Sequence, residues 1–129
     1  MKQSKQVIVM RTDLKNSNGH KIRTGKLITQ GAHASLKAIL DSGNLNNLPP
    51  KSAIKHWFEN GVTKICLGVD SEKELLEIYN KAKGAKLVCA LITDAGLTEF
   101  DGVPTKTCCA IGPEWSEEID RITGHLKLL

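Results

Sequence analysis

Four short runs of aliphatic and β-branched residues, separated by segments with helical spacing, set the narrowest limit on what this chain can become. Residues 6–11 (Gln-Val-Ile-Val-Met-Arg) are nearly continuous in apolar character, which suits a strand covered on both faces. Residues 63–69, 87–93 and 105–111 read as three further strands. Helical periodicity runs from Thr24 to about Ser42, with Leu27, Ile28, Ala32, Leu36, Ile39 and Leu40 as its apolar stripe and Gly43 and Asn44 as its stop. Residues 52–60 predict a second helix that buries Ile54, Trp57 and Phe58. Ser71 as N-cap, with Glu74 three residues on, forms a capping box for a third helix ending near Gly84. Gly112-Pro113-Glu114 is expected to open a last helix through Ile122 or Thr123, and residues 126–129 read as a short apolar tail.

The resulting order is β-α-α-β-α-β-β-α. Strands separated by helices favour parallel crossovers, and the last two, joined by a loop, favour antiparallel pairing. The expected class is α/β: a mixed four-stranded β-sheet flanked by α-helices. A length of 129 residues fits a single domain spanning 1–129. Only 4% of residues are aromatic, so the core must rely on Val, Ile, Leu and Ala. Cys66, Cys89, Cys108 and Cys109 show no metal-ligand spacing, and each lies in an apolar strand-like run. They read as buried free thiols of a reducing compartment. The polar N-terminus carries no secretory signal and no run approaches a membrane span, so a cytoplasmic location is expected.

The formal net charge of +4 is unevenly spread. Lys2, Lys5, Arg11, Lys15, Lys21, Arg23, Lys26 and Lys37 face only Asp13 in the first 37 residues. Such a basic third fits a polyanion such as RNA, although a solvated lysine-rich surface has the same composition. Within it, Lys26, Gln30 and His33 stand at i, i+4 and i+7, on one helix face. Asp94 and Thr98 stand in the turn after the third strand. If strands one and three are parallel, Lys26 and Asp94 share the sheet edge at which open α/β sheets bind ligands. The same two residues read equally well as a structural ion pair. A nucleotide P-loop is excluded: five residues separate Gly19 from Gly25, and Leu27 stands where a metal-binding hydroxyl is required. The four histidines have no metal-ligand spacing, and no Gly-x-Ser-x-Gly elbow occurs.

These ordered motifs resemble the class II peptidyl-tRNA hydrolases, found chiefly in archaea and eukaryotes. The resemblance spans nearly the whole chain. It rests on Val7-Ile8-Val9-Met10-Arg11-Thr12-Asp13-Leu14-Lys15, on Gly25-Lys26 with Gln30 and His33-Ala34, on Asp94-Ala95-Gly96 with Thr98, on Ala110-Ile111-Gly112-Pro113, and on the ending from Ile122 to Leu129. It implies hydrolysis of the ester joining a peptide to the terminal ribose of tRNA, with peptidyl-tRNA as partner, no metal or other cofactor, and a homodimer. By motif position it implies Lys26, Gln30, Asp94 and Thr98 as catalytic residues. His33 lies nearby, and Lys15, Lys21 and Arg23 are candidates for substrate contact.

The chain departs from the family pattern in two places. The loop before Gly25-Lys26 is several residues longer, with Thr24 in place of the usual lysine. Leu97 stands where the family commonly carries arginine, which removes a bidentate phosphate donor. These departures favour, as the alternative, a non-catalytic tRNA- or RNA-binding relative or a hydrolase with an altered acyl substrate. In the expected mechanism Asp94 orients the attacking water or accepts its proton, and Lys26 or Gln30 stabilises the oxyanion.

Overall fold

The structure, a computed structural model, describes residues 2–43, 45–96 and 99–129. Asn44, read as part of a helix stop, and Leu97 and Thr98 lie outside the described residues. The elements are β1 (Ser4–Arg11), α1 (Thr24–Asp41), α2 (Ala53–Glu59), β2 (Lys64–Val69), α3 (Glu72–Gly84), β3 (Cys89–Asp94), β4 (Thr105–Trp115), α4 (Ser116–Thr123) and β5 (Lys127–Leu128).

The strands form one mixed sheet in the order β3-β4-β1-β2-β5. β1 and β2 are parallel, and β4 is antiparallel to both β1 and β3. β1, β2 and β3 therefore end at the same edge, which is the arrangement that joint placement of Lys26 and Asp94 requires. Among the described residues the sheet has five strands rather than four. The tail expected at residues 126–129 supplies the fifth, pairing Leu128 with Leu67 and Lys127 with Gly68 on the open side of β2. Two residues are too few to show strand periodicity.

The sheet is covered on both faces. Val7 and Val9 of β1 pack with Leu75 and Ile78 of α3 and Ile119 and Ile122 of α4. Met10, pointing the other way, packs with Ala34 and Ala38 of α1. The α1 stripe expected from large apolar residues is misplaced: Ile28, Ala32, Leu36 and Leu40 are exposed. The buried face is instead Gln30, Gly31, Ala34, Ser35 and Ala38. Small side chains let the helix lie close on the sheet, so its packing face is less hydrophobic than its outer one. Phe58 of α2 is likewise exposed, whereas Trp57 is buried and donates Nε1–H to Thr63 O at 2.8 Å. Only Cys108 and Cys109 are fully buried; Cys89 is half-buried and Cys66 exposed, and all four are free thiols in strands.

The last helix starts later than expected, at Ser116, because residues 112–115 continue β4 and pair with β1 through Lys5–Glu114 and Ser4–Trp115. Gly112 makes this possible. Its φ is +102°, and a Cβ there would stand 2.5 Å from Lys5 O. The third helix begins as expected, with Ser71 Oγ accepting from Glu74 N at 3.0 Å.

A buried polar link fixes α1 to the sheet. Gln6, fully inaccessible, donates Nε2–H to Ser35 O at 3.2 Å and to Gly112 O at 3.1 Å, and its Oε1 accepts from Ser35 Oγ at 2.5 Å. Gln6→Leu is expected to destabilise the fold by about 2–4 kcal/mol, because two carbonyls and a hydroxyl lose partners out of water's reach. Denaturant titration reads the loss; an unchanged midpoint would show that the groups find other partners.

Candidate active site

Asp94 ends β3, and Lys26 stands in the first turn of α1, directly above that sheet edge. The site's centre is the Asp94 carboxylate. Lys26 Nζ donates to its Oδ1 at 3.0 Å, and Gln30 Nε2 donates to the same oxygen at 3.3 Å. The backbone N–H of Gly96 donates to Oδ2 at 2.9 Å. The Lys26 and Asp94 side chains are 14% and 16% exposed, so both are mostly withdrawn from water yet reachable at the surface. The Phe100 ring covers the ammonium from 5.9 Å. Burial pushes the Asp94 carboxyl upward, but the lysine bond, the Gly96 N–H, the lysine charge and the Gln30 amide together outweigh it. The net result holds Asp94 below the usual carboxylate range.

Gln30 is itself only 2% exposed. An ionised carboxylate can only accept, so the amide NH₂ must face Asp94 and Oε1 must face away. On that other side the Thr107 hydroxyl donates to Gln30 Oε1 at 2.7 Å, and Cys108 Sγ donates to Gln30 O at 3.3 Å. The register explains how two successive residues reach one helix. Ile92 pairs with Cys108 but Thr93 with Lys106, so Thr107 is the extra residue of a β-bulge that turns its side chain toward α1. Thr107 was invisible in the sequence: a threonine in an apolar run signals only a strand. Burial drives the Cys108 thiol up to about 11, so it stays protonated and serves as a donor.

Thr107 touches Gln30 and not the carboxylate, so its candidate role is to position the amide. Thr107→Val is expected to lower kcat roughly tenfold with little change in KM, because Gln30 Oε1 loses its buried donor. Thr107→Ser should restore the rate. A valine variant with unaltered kcat would show that the orientation of Gln30 does not matter to the reaction.

The other expected residues are distributed around this centre. His33 is exposed and lines the same groove as Gln30 and Asp94. Lys15 and Lys21 face each other across an antiparallel bridge in the loop before α1, so the long polar loop is a small hairpin. Asn16 shapes its turn, its Oδ1 accepting from the backbone of Asn18 and His20. Leu14, Ile22 and Phe100 seat it beside the site, with Leu27 partly buried against them. Both lysines are exposed. Arg23 is already paired: its Nε donates to Glu99 at 2.6 Å, so its charge is opposed from within the chain. Ion pairs with Asp120, Asp13 and Asp41 similarly engage Lys5, Arg11 and Lys37, which reduces the apparent basicity of the N-terminal third. Among the described residues no group of His, Cys, Asp or Glu is placed to hold a metal ion, and no helix is long and apolar enough to cross a membrane.

An ordered lysine, amide and carboxylate, with a backbone donor on the carboxylate, can polarise a carbonyl and orient water. Comparison with known proteins points to one chemistry. The family model described as "Peptidyl-tRNA hydrolase PTH2" matches residues 4–129. A peptidyl-tRNA hydrolase of Methanocaldococcus jannaschii is 46% identical over 125 residues, covering 97% of this chain and 99% of that one. One from Methanopyrus kandleri is 45% identical, with 97% of each chain covered. One from Haloquadratum walsbyi is 41% identical over 124 residues, with 96% and 98% covered.

Proposed function

This chain belongs to the peptidyl-tRNA hydrolase PTH2 family, and from that premise we propose that Asp94, Lys26 and Gln30 carry the family's reaction here. The protein is a hydrolase that cleaves the ester between a peptide and tRNA and so recycles peptidyl-tRNA. The observation that carries the assignment is the single carboxylate shared by Lys26, Gln30 and the Gly96 N–H at an accessible sheet edge.

In the proposed mechanism, a water held by Asp94 attacks the ester carbonyl carbon. The new C–O bond forms as the bond to the ribose oxygen breaks. The water's proton passes to the Asp94–Lys26 pair and from there to the leaving ribose oxygen, giving a free peptide carboxyl and a ribose hydroxyl. Lys26 and the Gln30 amide supply positive potential where the carbonyl oxygen gains charge. Thr98, four residues beyond Asp94, keeps the catalytic role that motif position assigns to it, and His33 borders the acyl side. The same proposal includes a cytoplasmic place beside translation and a homodimer, which sedimentation measures directly.

Lys15 and Lys21 are proposed to contact acceptor-stem phosphates. Two like charges across one bridge repel each other when unliganded and are relieved by a polyanion. Removing both as alanines is expected to flatten the plot of log affinity against log salt by about two units, one per lost phosphate contact, with kcat little changed. An unaltered salt slope would move the RNA to another face.

The test of the function is release of an N-blocked amino acid from its tRNA by the purified protein. Saturable release establishes the hydrolase. Tight tRNA binding without release would instead identify an RNA-binding relative.

A further inference from the structure

A groove of about 450 Å³ runs from the catalytic cluster along α1, away from the basic hairpin. Leu36 and Leu40 form one wall, and the outer edge of β3, from Leu91 through Asp94 to Ala95, forms the other. The two leucines are 56% and 59% exposed, on a helix whose packing face is elsewhere. Lys37 and Asp41 on the rim neutralise one another at 2.7 Å. β3 is outermost in the sheet, and no described strand pairs with its outer side. Gly112 donates to Val88 O on the β4 side, so alternation turns the N–H and C=O of Cys89 and Leu91 to the open edge.

The ester that reacts at Asp94 joins two arms of opposite chemistry, a polyanion and a peptide. The hairpin at the start of α1 offers lysines. The groove offers apolar side chains, a neutralised rim and unpaired strand backbone, a poor setting for phosphate and a good one for an extended peptide. We propose that the groove between α1 and β3 holds the peptidyl arm of the substrate, its backbone paired to the β3 edge and its side chains against Leu36 and Leu40. This assignment rests on the reading of Asp94, Lys26 and Gln30 as the hydrolytic site. From Gln30 to Leu40 the helix rises about 15 Å. An extended peptide covers that length with about four residues.

The experiment measures kcat/KM on one tRNA carrying N-acetylated peptides of one to six residues, leucine-rich and with the same esterified amino acid throughout. The expected result is a rise of roughly tenfold or more up to about four residues and a plateau beyond. In the double variant Leu36→Asp/Leu40→Asp the long-to-short ratio should fall to about one, whereas Phe58→Asp, on α2, keeps it. Leu40→Ala, a milder change, should reduce the ratio partway. A flat length profile with cleavage intact overturns the groove assignment and leaves the hydrolase reading standing; no cleavage of any substrate overturns both. A length gradient that survives the double variant overturns the groove alone. So does a loss of gradient accompanied by altered sedimentation, which would give the leucines to a subunit contact.

Discussion

Lys26→Ala is expected to lower the turnover of peptidyl-tRNA by roughly 10³-fold while changing tRNA affinity far less. The ammonium stands 3.0 Å from Asp94 Oδ1, within reach of any carbonyl that the carboxylate's water could attack. It is largely withdrawn from solvent, so its field is weakly screened. Asp94→Asn should be at least as damaging, because the amide can neither accept the water's proton nor hold Lys26 by charge. Single-turnover cleavage beside filter binding separates the two effects. Equal losses in rate and affinity would make Lys26 a tRNA anchor rather than part of the reaction.

The same pair makes a prediction about pH. The Asp94 carboxyl is held below its ordinary value of 3.8. The midpoint of the loss of kcat/KM from protonation of this group should therefore lie below that pH. Its contribution to stability has the same sign: present above the unfolded carboxyl's pKa, and lost as pH falls through the folded one. Removing Lys26 takes away two of the influences that lower it and leaves burial opposed by Gly96 and Gln30. The Asp94 carboxyl should then titrate at a higher pH, which carbon-detected NMR of the Lys26→Ala protein reads directly. An unmoved titration would mean that the lysine is not what keeps Asp94 ionised.

Gly96→Ala is expected to cost roughly 10²-fold in turnover although it removes no functional side chain. Gly96 has φ +82°, and a Cβ there would stand 2.2 Å from Val103 O, a backbone atom that cannot swing aside. Its N–H binds Asp94 Oδ2, and its carbonyl accepts from Gly102 N–H at 2.7 Å. An added methyl must therefore displace the turn that aims Asp94. The positive φ adds strain of about 1–3 kcal/mol for a residue with a side chain. The expected signature is a fall in kcat with only a modest fall in melting temperature, because the main apolar clusters lie on the two faces of the sheet rather than in this turn. A variant with normal kcat would show that the Gly96 N–H is dispensable and that the loop adapts.

Much of this protein was legible in the chain because its signals are local. Apolar runs over residues 6–11, 63–69, 87–93 and 105–111 marked four strands, and the Ser71–Glu74 spacing marked a helix start. Lys26, Gln30 and His33 at helical spacing, with Asp94 after a strand, were enough to predict one polar cluster at one sheet edge, where the structure brings Lys26, Gln30 and Asp94 together. What required the tertiary structure was non-local. The buried face of α1 is made of Gly31, Ala34, Ser35 and Ala38, because closeness to the sheet, not side-chain hydrophobicity, decides which face packs. Thr107 meets Gln30 only through a bulge whose register depends on β3 and β4 together. Arg23 loses its free charge to Glu99, a residue 76 positions away. β5 exists only because β2 leaves an edge for it. The sequence by itself determined the four longer strands, the four helices to within a few residues, and the polar trio Lys26, Gln30 and Asp94 that could meet. Distances, hydrogen-bond direction and the outward face of α1 were decided by packing, since each depends on contacts between segments that no local pattern encodes.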